Sequence, residues 1–116
     1  MGRSRKKWSF VDIFSGASGL GTGMSSKFQH LLGLEYWDDA IKTSTSNGWH
    51  IKKCDISNIR AAKRQIKQLD PDIICGGSPC QSFSLCSTLY RPEVAELTIN
   101  YAKIVKSIKP HVFVLE

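Results

Sequence analysis

Short apolar runs alternate with stretches of helical periodicity along the chain, and that alternation limits the fold more than any single residue does. Trp8–Phe14, Leu34–Trp37, a stretch within Trp49–Asp55, Asp72–Cys75 and Val112–Leu115 read as strands. Between them, Leu20, Met24, Phe28 and Leu31 lie at helical spacing and predict a first helix ending near Gly33. A second helix, capped by Asp38 or Asp39, carries Ala40, Ile41 and Ser44 and closes at Asn47-Gly48. Ile59, Ala62, Ile66 and Leu69 mark an amphipathic third helix, stopped by Asp70-Pro71. A fourth opens at Pro92, with Val94, Leu97, Tyr101, Ile104 or Val105, and Ile108 as its apolar stripe. Strand-helix alternation implies βαβ units, so the expected fold class is α/β, with about five parallel strands and helices on both faces.

In such a sheet ligands sit beyond the carboxyl ends of the strands. The segments richest in chemistry fall there: Ser15–Gly23, Glu35–Trp37, Asp55-Ile56, Gly76–Ser84 and Glu116. The first places Gly16, Gly19, Gly21 and Gly23 between strand and helix, where glycine allows a tight turn and close backbone approach to a ligand. A glycine turn made only for packing is the alternative reading. Glu35 lies about 20 residues on, at the position that holds ribose hydroxyls in nucleotide-type cofactors; an exposed strand-end glutamate is the competing reading. Asp55 could accept from an adenine amine while Ile56 packs on its face, or Asp55 could cap a helix.

At 116 residues, the chain is expected to be one domain behind a basic tail, residues 1–8. Its formal charge of +6 points to a polyanionic partner, although four of its sixteen basic residues fall in the first seven positions. Arg60, Lys63, Arg64 and Lys67 form a basic stripe, read first as a solvated helix face and second as a phosphate contact. No apolar run is long enough for a membrane span and no signal-type segment opens the chain, so an intracellular protein is expected. Cys54, Cys75, Cys80 and Cys86 form no C-x-x-C pair and have no histidine at zinc-ligand spacing; all four are expected to be reduced thiols, with no metal bound.

With these segments in order, the chain resembles the DNA cytosine carbon-5 methyltransferases. Phe14-Ser15-Gly16-Ala17-Ser18-Gly19 resembles that family's S-adenosylmethionine loop, with Ser18 where a glycine is usual. "GLEYWDDAIKTSTSNG" is similar to its second motif, Cys54-Asp55-Ile56 to its third, and Pro79-Cys80-Gln81 to its catalytic signature. "KPHVFVLE" resembles the start of the motif that carries its glutamate.

The resemblance implies a Rossmann-like S-adenosylmethionine-dependent methyltransferase fold, here incomplete, with residues 9–116 as the N-terminal part of a catalytic domain. It implies an enzyme in which Cys80 adds to carbon-6 of cytosine and Glu116 holds ring N3 and donates a proton. The cofactor would be held by Phe14, Ser15, Gly16, Ala17, Gly19, Leu20, Glu35, Tyr36, Trp37, Asp55, Ile56 and Pro79, with Trp37 read first as stacking on the adenine and second as serving the core. Gln81, Ser82 and Ser84 would contact double-stranded DNA around an extruded cytosine. The family's target-recognition region and later motifs are missing, so the expected partner is a complementary C-terminal segment or subunit, and the chain alone is expected to be inactive with an exposed apolar sheet edge. A tRNA cytosine-5 methyltransferase fragment and a non-catalytic cofactor- or partner-binding fragment are the alternatives.

Overall fold

A computed structural model describes residues 7–16, 18–77 and 92–115, with side chains of the last stretch from 96 onward. The described residues form five strands, β1 (Ser9–Ile13), β2 (Gln29–Glu35), β3 (Ile51–Lys53), β4 (Ile73–Gly76) and β5 (Val112–Leu115). Helices α1 (Gly19–Met24), α2 (Asp38–Ser46), α3 (Ile59–Lys67) and α4 (Pro92–Ile108) alternate with them. All neighbouring strands are parallel, in the order β3-β2-β1-β4-β5, as the α/β reading requires.

β1 is buried along its whole length because both faces of the sheet are covered at its centre. Val11 and Ile13 join Leu32, Leu34 and Ile74 on one face, under Ala62 and Ile66 of α3 and Tyr101 and Ile104 of α4. Phe10 joins Ile73 and Cys75 on the other, under Leu20 and Met24 of α1. Right-handed crossovers account for this split: the chain runs from β1 out to β3, then returns across the opposite face to β4 and β5. No described helix is long and apolar enough to cross a membrane.

The first helix is shorter than its apolar spacing predicts, and β2 begins at Gln29 rather than Leu34. Three glycines in six residues make α1 a weak helix. The carbonyl of Met24 takes both the Lys27 and Phe28 amides, and Gln29 then donates to Trp8 and enters the sheet. Phe28 still packs with Leu20 and Met24, so the spacing reported a shared cluster rather than one continuous helix. Gly33 sits inside β2 and does not close a helix: a Cβ there would come 2.5 Å from Ile51 Cδ1 and 2.7 Å from Asp12 Oδ1. Tyr36 and Trp37 follow the strand; Trp37 is the N-cap of α2, and Asp38 and Asp39 lie in its first turn, favourable against the helix dipole.

Asn58, not Asp55, caps α3 by accepting from the Ala61 amide. Elsewhere the punctuation acts as expected: Asp70 takes a positive φ after α3, and α4 opens at Pro92. Among the described residues β5 pairs only with β4, and its four apolar residues are all exposed, Phe113 the most at 59%. The expected apolar edge is present.

Candidate cofactor site

The carboxyl ends of β1, β2 and β3 converge on a cavity of about 340 Å³. Phe14 enters from β1, Leu34, Glu35, Tyr36 and Trp37 from β2, and Cys54, Asp55, Ile56 and Ser57 from the turn after β3. Glu96, Leu97 and Asn100 of α4 complete the wall. Small-ligand sites occupy roughly 300–1,000 Å³, mostly apolar with a few placed polar groups, and this cavity has that character.

The loop after β1 is held in an unusual conformation. Phe14, Gly16 and Ser18 take φ of 59°, 55° and 68°, so alternate residues lie in the left-handed region that disfavours side chains. Backbone strain of this kind persists only where the surroundings impose it. Here they do: the Ser15 amide donates to the Leu34 carbonyl at 3.1 Å and the Gly16 amide donates to Glu35 Oε1 at 2.8 Å. Glu35 Oε2 accepts from the Tyr36 and Trp37 amides at 2.7 and 3.0 Å. One carboxylate therefore fixes both the loop after β1 and the turn after β2.

Asp55 Oδ1 accepts from Ser57 Oγ at 2.6 Å and from the Ser57 amide at 2.9 Å. The Ser57 hydroxyl, then its amide, hold the Asp55 carboxyl below its ordinary value, so it is charged at neutral pH. Among the described residues Oδ2 has no donor. Burial, reinforced by Asp55, pushes the neighbouring Cys54 thiol up and keeps it protonated. Among the aromatics, Trp37 is 74% exposed, and the Tyr36 ring carries Lys53 Nζ at 5.3 Å from its centroid.

Residues 8–116 match the family model described as "C-5 cytosine-specific DNA methylase". The chain belongs to the C-5 cytosine-specific DNA methylase family. Among curated relatives, the type II methyltransferase M.HindV of Haemophilus influenzae is 39% identical over 112 residues, covering 91% of this chain and 36% of its own length. M.HgiGI of Herpetosiphon aurantiacus is 35% identical over 111 residues, covering 91% of this chain and 86% of its own. The chain thus spans about a third of M.HindV. Two solved structures share the fold. A mutant of Spodoptera frugiperda DNMT2 has TM-score 0.64 at 14% identity, over 87% of this chain and 32% of that one. An S-adenosylmethionine-dependent methyltransferase from Clostridium acetobutylicum has TM-score 0.59 at 15% identity, over 95% and 42%.

The fold brings six of the cofactor residues expected from the sequence to one cavity: Phe14, Glu35, Tyr36, Trp37, Asp55 and Ile56. Ser15, Gly16, Gly19 and Leu20 do not line it. Gly16 reaches it through Glu35, Gly19 opens α1, and Leu20 packs on the Phe10 cluster. Ala17, Pro79, Cys80, Gln81, Ser82, Ser84 and Glu116 lie outside the described residues. Sequence reasoning did not place Leu34, Cys54, Ser57, Glu96, Leu97 or Asn100 at the site. For α4 the signal was available: Leu97 and Asn100 are three apart, hence on one face, and Asn100 is a polar residue bordering the helix's apolar stripe.

Proposed function

We propose that this chain forms the cofactor-binding and thiol-bearing part of an enzyme that methylates carbon-5 of cytosine in DNA, using S-adenosyl-L-methionine. The observation that carries the reading is the meeting of Glu35, Trp37 and Asp55-Ile56 around one cavity at the strand ends, in a chain of the cytosine methylase family. The donor set suits an adenosyl group. Glu35 offers a carboxylate to ribose hydroxyls, Asp55 Oδ2 accepts from an adenine amine, and Ile56, Trp37 and Leu97 supply apolar walls. When bound, the cofactor supplies an electrophilic methyl group.

In sequence, Cys80 comes four residues after the end of β4 and Glu116 directly after β5, and the carboxyl ends of these parallel strands lie on the side of the sheet where the cavity opens. The Cys80 thiolate adds to C6 of the cytosine ring, making C5 nucleophilic, while Glu116 binds N3 and gives it a proton. After methylation, loss of the C5 proton and expulsion of the thiolate restore the aromatic ring. Gln81, Ser82 and Ser84 contact the DNA backbone around the extruded base. The family's description as DNA methylases favours DNA over tRNA as substrate. The exposed apolar edge of β5 supports a further segment, in cis or as a second chain, that covers it and brings the target DNA.

Two measurements test this. Calorimetric titration with S-adenosyl-L-homocysteine should show saturable binding, and its absence would remove the cofactor assignment. Mixing the chain with the C-terminal half of a relative, labelled cofactor and 5-fluorocytosine DNA should trap a covalent protein–DNA adduct. Cys80→Ala should abolish that adduct; an adduct that survives the substitution defeats the role given to Cys80.

A further inference from the structure

Ser18 is fully buried in a left-handed conformation, φ 68°, where a glycine would be free of strain. Its hydroxyl donates to Ser44 Oγ of α2 at 2.8 Å, and Ser44 Oγ donates to the Gly16 carbonyl at 2.9 Å. Ser44 is the one fully buried polar side chain of α2. Its surroundings explain why a hydroxyl is needed there: it is the acceptor for one loop residue and the donor to another. Gly16 is thereby held on both sides, its amide by Glu35 and its carbonyl by Ser44.

We infer that Ser18 and Ser44 act as a coupled pair of positioning residues, fixing the Gly16 turn so that Glu35 is presented to the cavity. The coupling has a direction. Removing the Ser44 hydroxyl strands the buried Ser18 O–H and leaves the part-buried Gly16 carbonyl without its donor. Removing the Ser18 side chain strands neither, relieves the left-handed strain, and leaves the Ser44-to-Gly16 bond in place. Part of the need for Ser44 therefore arises because residue 18 is serine. This inference builds on the cofactor reading above, but the coupling itself can be read with no ligand present.

The test is a mutant cycle in the full 116-residue chain: Ser18→Gly, Ser44→Ala and the double variant. Ser44→Ala should lower the melting temperature by about 4–8 °C and Ser18→Gly should change it little. The double variant should recover at least half of the Ser44→Ala loss, and strict additivity overturns the coupling. Exchange of the Gly16 amide, followed by NMR well below the melting temperature, should quicken about tenfold in Ser44→Ala, stay quick in the double variant, which also lacks the donor to the Gly16 carbonyl, and keep the wild-type rate in Ser18→Gly. A lowered melting temperature with unchanged Gly16 exchange would mean that the pair only stabilises the fold, and the positioning role falls. S-adenosyl-L-homocysteine titration of the same variants separates the two levels. A wild-type chain that does not bind sinks the cofactor reading while the ligand-free cycle still decides the coupling. A Ser44→Ala chain binding as tightly as wild type denies any consequence for the site.

Discussion

His30 Nε2 lies 3.0 Å from Asp12 Oδ1, and the pair is enclosed between Phe10, Trp49 and the backbone of α1. Asp12 is 1% exposed at the centre of the sheet, and its second oxygen has no hydrogen-bond partner among the described residues. Among the described residues the histidine is thus the one side chain satisfying that carboxylate. Substituting His30→Ala should cost about 3 kcal/mol, because an uncompensated buried carboxyl remains. Urea unfolding at pH 7 measures this, and Asp12→Asn in the same background should recover part of the loss.

Glu35 predicts a more functional effect. In Glu35→Gln, one acceptor oxygen becomes an amide that must face a backbone N–H, either at Gly16 or at Tyr36 and Trp37. Charge-assisted bonds of this kind contribute about 1.5–3 kcal/mol. S-adenosyl-L-homocysteine affinity should fall at least tenfold by calorimetry, with a smaller loss of thermal stability.

How far these residues were legible depended on how local their signals were. Glu35, Asp55 and the glycines after β1 were readable because each sits where a strand period breaks, and strand ends are where α/β sheets bind ligands. Ser44, His30 and Asn100 were not, because their roles depend on partners distant in sequence: Gly16 and Ser18, Asp12, and the β-strand ends. Phe28 and Leu31 misled in the opposite way. Their helical spacing was real, but Phe28 follows a helix weakened by glycine and Leu31 lies in a strand packed against the opposite core.

Cys75 sets an alkaline limit on stability. Burial, reinforced by Asp12, pushes its thiol from 9.0 up to about 12. Between those values the unfolded chain releases the proton and the folded chain keeps it. The stabilisation is therefore complete below pH 9 and is lost as pH rises toward 12, at up to about 1.4 kcal/mol per unit. Burial raises Tyr101 as well and adds the same sign. Urea midpoints under reducing conditions at pH 8, 9 and 10 should fall more steeply for wild type than for Cys75→Ala.

Tyr101 also ties α4 to the sheet. Its hydroxyl donates to the Val114 carbonyl at 2.7 Å, with the Ile74 carbonyl at 3.2 Å. Tyr101→Phe should cost about 1 kcal/mol and loosen the edge strand. Hydrogen exchange across Val112–Leu115 should accelerate while that of β1 and β2 stays unchanged.

The strand order β3-β2-β1-β4-β5 also bears on how the chain reaches this state. Ile13 pairs with Leu34 on one side and with Gly76 on the other, roughly three times as far along the chain. Loop-closure entropy makes the nearer pairing form first, so β1, β2 and β3 assemble ahead of β4. Until β4 arrives, the all-buried β1 is itself a bare edge. Refolding of this protein is then a race between closing that edge within one molecule and joining it to another, and its yield should fall as protein concentration rises.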